Sequence, residues 1–241
     1  MQTSLPVALS AQLATEKRLE TIANNIANAR TVGFRAEEVK FETYLSRADA
    51  QPVAFVSKGE QYISTRAGEM TQTGNGFDLA VSGNGFFAVQ GPKGTVYTRD
   101  GRMQMDAEGT LRSVSGDPIL DVGNAPLQVD PTAGPITVAR DGMITQNGRQ
   151  IGAVGLFEMP AGADLTRAGP SAVVPDRAAI PIVEFTDVQV MQGFVEGSNV
   201  NPILEMTRLI EVQRAFESAA NFLTQSEQSL DRAVEVLGSK S

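Results

Sequence analysis

Asn201-Pro-Ile-Leu-Glu-Met-Thr-Arg-Leu-Ile-Glu-Val-Gln-Arg-Ala-Phe-Glu217 opens the stretch whose reading decides the fold. Asn201 is a good helix cap and Pro202 suits a first helical position, where its missing N–H costs nothing. From there Met206, Leu209, Phe216, Ala220, Leu223, Leu230, Val234 and Leu237 recur at threes and fours. Gln213 and Glu227 are the polar interruptions of this seam, and Gly238 closes it. About 36 residues at 1.5 Å each predict a helix of roughly 54 Å, far beyond the usual three turns. A seam sustained over about five heptads is longer than one small domain covers, which points to a coiled coil rather than a helix lying on its own body.

The other end of the chain answers it. Ser4 and Pro6 begin a second helical pattern in which Leu5, Leu9 and Leu13, then Leu19, Ile22 and Ile26, recur with one slip near Glu16. Asn28 to Gly33 ends it. Residues 34–65 read as a linker or extended arm. From Arg66 to Val190 the period becomes two, with candidate strands at 78–82, 86–90, 95–99, 102–106, 110–114, 136–139 and 153–158. Gly83-Asn-Gly85, Asp100-Gly101, Glu108-Gly109, Asp141-Gly142 and Asn147-Gly148 punctuate them as tight turns do. Residues 160–181 read as a surface excursion. The expected class is α+β, with long N- and C-terminal helices pairing as a coiled coil and a central, mainly antiparallel β domain. The boundaries are 1–33, 34–65, 66–190 and 191–241.

Composition removes many functions. The 241 residues contain no Cys and no His. Disulfides, thiolate or imidazole metal sites and every Ser-His-Asp or Cys nucleophile arrangement are therefore excluded. A net charge of −8 argues against a nucleic-acid partner, which needs a basic face. No stretch approaches the roughly 18–20 apolar residues of a membrane span. Glu16, Lys17, Arg18 and Glu20 interrupt any secretory h-region, so if the protein leaves the cytoplasm, the expected route is one without a cleaved signal peptide.

Two local patterns have a chemical reading and a plainer one. Gly83-Asn-Gly85-Phe-Phe-Ala88 fits a loose dinucleotide fingerprint, but a strand follows where phosphate binding needs a helix, so a hairpin turn is favoured. Asp100, Asp106 and Glu108 resemble paired acids or calcium ligands, yet each sits by a turn glycine or a strand edge, which favours turn and solvation roles. No catalytic, cofactor or metal residue is assigned, and no enzyme activity is expected.

Four blocks in order resemble one family. Ile22-Ala-Asn-Asn-Ile-Ala-Asn28 with Thr31-Val-Gly-Phe-Arg35 resembles the N-terminal signature of flagellar axial rod and hook proteins. Gly74 to Val89 resembles the family's middle motif, and Tyr97-Thr-Arg-Asp-Gly101 with Asp106-Ala-Glu-Gly109 the strand-turn-strand after it. Glu196-Gly-Ser-Asn-Val-Asn-Pro202, with Glu205 to Ile210 and Gln213-Arg-Ala-Phe-Glu217, resembles the C-terminal signature. Gly197 and Phe216 depart from it, standing where a small hydroxyl residue and Tyr are usual. Length and the opening Leu5–Leu13 are most similar to a proximal-rod member.

The resemblance implies a structural subunit of the bacterial flagellar basal body. Its terminal helices would line a central channel, its β domain would form an outer layer, and the assembly would transmit torque. Implied partners are other rod proteins, copies of itself and the flagellar type III export apparatus; the implied location is the periplasmic rod. The helix-packing residues would be Leu19, Ile22, Ile26, Met206, Leu209, Gln213, Phe216, Ala220, Leu223, Leu230 and Val234. The amides of Asn24, Asn25 and Asn28 would bridge helix ends or neighbouring subunits, or serve as ordinary caps. A distal-rod or hook paralogue is the alternative. From another class, so is an oligomeric peptidoglycan-binding or carbohydrate-active β protein.

Overall fold

A computed structural model describes residues 4–46, 53–57 and 59–238. Two helices bracket the chain: α1 (Ser4–Ala27) and α2 (Pro202–Gly238). The α2 start follows from its cap, since Asn201 Oδ1 accepts the N–H groups of Ile203 and Leu204 at 3.1 and 3.2 Å. The irregular seam near Glu16 does not break α1, which runs through it as one helix.

Strands follow in chain order. After α1 come β1 (Glu37–Lys40), β2 (Thr43–Ser46), β3 (Val53–Val56) and β4 (Glu60–Ile63). The pairs are β1 with β4 and, antiparallel, β2 with β3. Within the stretch read as linker, these four segments are thus paired strands. Next come β5 (Met70–Gln72), β6 (Leu79–Ser82), β7 (Gly85–Gly91), β8 (Gly94–Thr98), β9 (Met103–Met105) and β10 (Leu111–Ser113). They are followed by β11 (Ile136–Val138), β12 (Met143–Gln146), β13 (Arg149–Ala153) and β14 (Leu156–Glu158). Last are β15 (Leu165–Arg167), β16 (Ala172–Pro175), β17 (Ile180–Pro181), β18 (Gln189–Gln192) and β19 (Phe194–Glu196).

The chain divides into two compact units. The helical unit holds α1, residues 37–62 and α2, and within it α1 packs against α2. The β unit holds residues 28–36 and 63–200. Its largest sheet runs β15-β16-β8-β7-β14-β17, with every registered pair antiparallel. The excursion expected at 160–181 therefore supplies three of the six strands. A three-stranded meander β11-β12-β13 and the pairs β9–β10, β6–β18 and β5–β19 complete the unit.

The core of the β unit gathers Leu79, Val81, Phe87, Leu111, Ile119, Ile144 and Leu156, all essentially buried. Burying each such side chain stabilises by about 1.5–3 kcal/mol. β11 and β12 bury alternate side chains, Ile136 and Val138, then Ile144 and Gln146, whereas β6 and β7 also bury neighbouring ones, Ala80 and Ala88 being fully buried.

One expected hairpin is corrected. Gly83-Asn84 is a turn, with Gly83 at φ +96°, but β6 and β7 are not paired to each other. β6 pairs β18 and β7 belongs to the large sheet, so the turn passes the chain between sheets. A Cβ on Gly83 would meet the Asp187 carbonyl oxygen at 2.3 Å, which explains a glycine there. A strand, not a helix, follows, as the sequence predicts.

Candidate functional site: the helical surfaces and a buried charge hub

The helical unit contains most of the residues expected to pack helices. On α1, Ile22 is buried and Leu19 and Ile26 are half-buried. Asn25 is buried and forms a two-way link: its Nδ2 donates to the Glu37 carbonyl and its Oδ1 accepts the Glu37 N–H, both at 2.9 Å. It therefore fixes α1 to the start of β1 rather than capping the helix. Asn28, in the β unit, accepts from the Thr31 hydroxyl at 3.1 Å and from the Thr31 amide through its carbonyl, a local turn. Asn24 is half-buried on α1.

On α2 the inward side is offset from the expected seam. Glu205 is buried, and Leu209, Val212, Phe216, Ala219 and Ala220 are half-buried. Met206 and Gln213 are exposed. Of the residues expected in the seam, Leu209, Phe216 and Ala220 are thus half-buried and Met206 and Gln213 exposed, while Glu205 and Val212 lie on the more buried side. Glu205 holds Arg208 at 2.6 Å one turn on, so its buried carboxylate is paired. Leu223, Leu230 and Val234 lie on α2, but their side chains fall outside the described residues.

The other side carries exposed apolar residues. Ile203 is 74% exposed, Met206 48% and Ile210 53%, three and four residues apart and so on one stripe. Leu9 and Leu13 on α1 are each about half exposed. Isolated apolar residues on a surface are ordinary, but a stripe at helical spacing marks an interaction face.

The β unit holds a feature that sequence reasoning missed. Glu196, fully buried, sits between two buried arginines: Arg35 Nη2 lies 2.7 Å from one carboxylate oxygen and Arg99 Nη1 3.1 Å from the other. The Gly68 amide donates to the same carboxylate at 3.0 Å. Arg35 also donates to the carbonyls of Thr65 and Arg66, and Arg99 to those of Val81 and Gly83. The Arg99 guanidinium stacks over the Phe86 ring at 4.7 Å. Burial, reinforced by the neighbouring Arg35 charge, pushes the Arg99 pKa down to about 10, with Glu196 acting in opposition. Burial likewise lowers Arg35, again opposed by Glu196. At about 10, Arg99 remains a cation at neutral pH. The signal was present: one charged residue in each of three motif blocks. Its meaning needed the contacts.

Two of the three acids considered as catalytic or calcium-binding, Asp100 and Asp106, are engaged in turns, and Glu108 is exposed. Asp100 takes the Arg102 guanidinium at 2.9 and 2.7 Å as well as the Arg102 amide. Asp106 accepts the amides of Glu108 and Thr110 and pairs Arg112 at 2.6 Å. Among the described residues no group of three acids is arranged to hold a metal ion, and no helix is long and apolar enough to cross a membrane.

Three family models match in chain order. These are Flagella basal body rod protein over residues 5–35, the Flagellar hook protein FlgE/F/G D1 domain over 80–146, and Flagellar basal body rod FlgEFG protein C-terminal over 191–236. They coincide with α1 and its turn, part of the β unit, and the β18–β19 segment with α2. The flagellar basal-body rod protein FlgF of Mesorhizobium japonicum is 51% identical over the whole of both chains. Those of Rhizobium meliloti and Caulobacter vibrioides are 47% and 38% identical over 99% of each chain. The chain belongs to the flagellar basal-body rod protein family, among its FlgF members.

Proposed function

We propose that this chain is a structural subunit of the bacterial flagellar basal-body rod, at its proximal part, self-assembling through its terminal helices to transmit torque. One observation carries the assembly reading. The two helices bury one side against each other and leave a spaced apolar stripe, Ile203-Met206-Ile210, open on the other. A coiled-coil layer of such helices from neighbouring subunits is the arrangement this supports. The family gives other rod proteins as partners and the basal body as location; a periplasmic position and passage through the type III export apparatus follow as parts of the same proposal. The role is mechanical, not catalytic.

The distal-rod alternative is less favoured, since the FlgG proteins that also match are 29–31% identical. The carbohydrate-active alternative is disfavoured by Asp100 and Asp106, whose oxygens are committed to Arg102, Arg112 and turn amides.

The test is complementation of a deletion strain with Ile203→Glu/Met206→Glu/Ile210→Glu. Exposed substitutions of this kind change monomer stability by only about 0.5 kcal/mol each, so the purified variant should melt like the parent. It should fail to restore motility and leave basal bodies without a complete rod in electron micrographs. Normal swimming by this variant would refute the assembly role of the stripe.

A further inference from the structure

Residues 188–200 dock almost wholly on partners distant in sequence. β18 pairs β6 from Gln189–Ser82 to Gln192–Leu79, and β19 pairs β5 from Phe194–Gln72 to Glu196–Met70. These are two-stranded sheets, so among the described residues β5 and β6 have no other strand partner. The Val190 amide donates to the Arg140 carbonyl, Gly193 to Asp78 and Gly197 to Glu69. Gln192 reaches across to the Val138 amide and to the carbonyls of Gly76 and Ile136.

The same segment gathers the strands of chain that lead out of the β unit. The Gly33 amide donates to the Glu196 carbonyl at 2.7 Å, and the Ala36 amide to Asn199 Oδ1 at 2.7 Å. Asn199 Nδ2 donates to the Arg66 carbonyl at 2.8 Å. Phe34 and Val200 share a small apolar cluster. Glu196 supplies the only counter-charge within ion-pairing distance of Arg35 and Arg99 among the described residues.

By contrast, β7–β8, β9–β10, β11–β12–β13 and β15–β16 join neighbours in sequence through short connections. Closing a long loop costs more chain entropy than closing a short one, so hairpins can form while the 188–200 segment is still free. With that segment undocked, Arg35 and Arg99 have no anion to justify their burial, and desolvating two neighbouring guanidiniums opposes closure.

We propose that residues 188–200 are a latch that closes the β unit last and can open without unfolding the rest, with Glu196, clasped by Arg35 and Arg99, as its bolt. The latch ends at Val200, immediately before the Asn201 cap of α2, so the last body segment to dock is the one that leads into the terminal helix. A chain whose latch is open has β5 and β6 unpaired and is not yet a finished subunit. The proposal does not rest on the assembly reading, because it is tested on the purified chain.

Hydrogen exchange of the full chain at urea concentrations below unfolding is the first test. The amides of Gly33, Ala36, Gly68, Val190, Gly193 and Gly197 should exchange through one shared opening, at lower free energy than the β7–β8 amides. Exchange of both sets only by global unfolding would overturn the latch. Glu196→Gln is the second test. It should speed exchange of the first set by about a hundredfold, as expected for breaking a buried ion pair, and amides that exchange only by global unfolding should speed up by the same factor, since both openings release Glu196. No acceleration of the first set would refute the role of Glu196. The selective variant is Phe157→Leu, in an apolar cluster that holds no residue of 188–200, which should speed β7–β8 exchange about tenfold and leave the first set within about threefold; equal acceleration of both sets would overturn the latch. If Glu196→Gln does not fold, Arg99→Lys, which keeps the charge but loses the forked geometry, should speed the first set by about tenfold; no acceleration would count against it.

Discussion

Asp106 shows how much one side chain does in a turn. Its carboxyl is held below the ordinary 3.8, first by the Arg112 hydrogen bond and then by the Thr110 amide, the Arg112 charge and the Glu108 amide, against the cost of desolvation. A carboxyl with a depressed folded pKa stabilises above its unfolded value, and that contribution is lost as pH falls through the folded one. Asp106→Asn should therefore melt lower at neutral pH and show a flatter acid limb below about pH 4 than the parent, measured by circular dichroism. Arg99 acts at the opposite extreme: cationic in both states below about pH 10, it adds no pH dependence of its own under ordinary conditions. Gly33 is constrained by backbone alone. It sits at φ +70°, and an added Cβ would lie 2.3 Å from the Asp100 nitrogen. Gly33→Ala should cost about 2–4 kcal/mol in urea denaturation, because left-handed strain and a backbone clash add. At this scale Asp106 was legible as a turn residue from its own neighbours. Glu196 was not, since Arg99 is 97 residues away along the chain.

At the scale of elements, α2 is the clearest match between pattern and structure: its bounds follow from Asn201, Pro202 and Gly238. Its inward face was harder to read. Ile203, Met206 and Ile210 give the helix a second apolar side, and periodicity cannot say which side faces its partner. The half-buried positions settle on Leu209, Val212 and Phe216. Val212→Ala should accordingly weaken α1–α2 packing by about 1 kcal/mol, whereas Gln213→Ala should stay within about 0.5 kcal/mol. Thermal melts of the two variants decide between the seams, and equal effects would restore the one expected from sequence. Asn25 is a further element-scale surprise. A buried amide making two long-range backbone bonds joins α1 to β1, and Asn25→Ala, leaving both Glu37 groups unpaired, should cost about 1–3 kcal/mol.

Across the whole molecule the two units differ in how they are held. The β unit has a contiguous buried core and a clasped charge hub, whereas the helical unit keeps apolar side chains exposed on both helices. In purified, unassembled chain, hydrogen exchange should therefore be faster over α1 and α2 than over β7 and β8, and should slow once the chain is incorporated in rods. Strong protection of both helices in monomer would contradict this. The absence of Cys and His, the terminal helices and the turn-punctuated middle were determined by sequence, because composition and local periodicity act over a few residues. Pairing of 37–40 with 60–63 and of 43–46 with 53–56, use of 165–181 in the main sheet, the choice of inward face on α2 and the Arg35–Glu196–Arg99 hub were decided only by tertiary structure. Each depends on which distant segments meet, and burial gives a charge or an apolar face its meaning only after they have met.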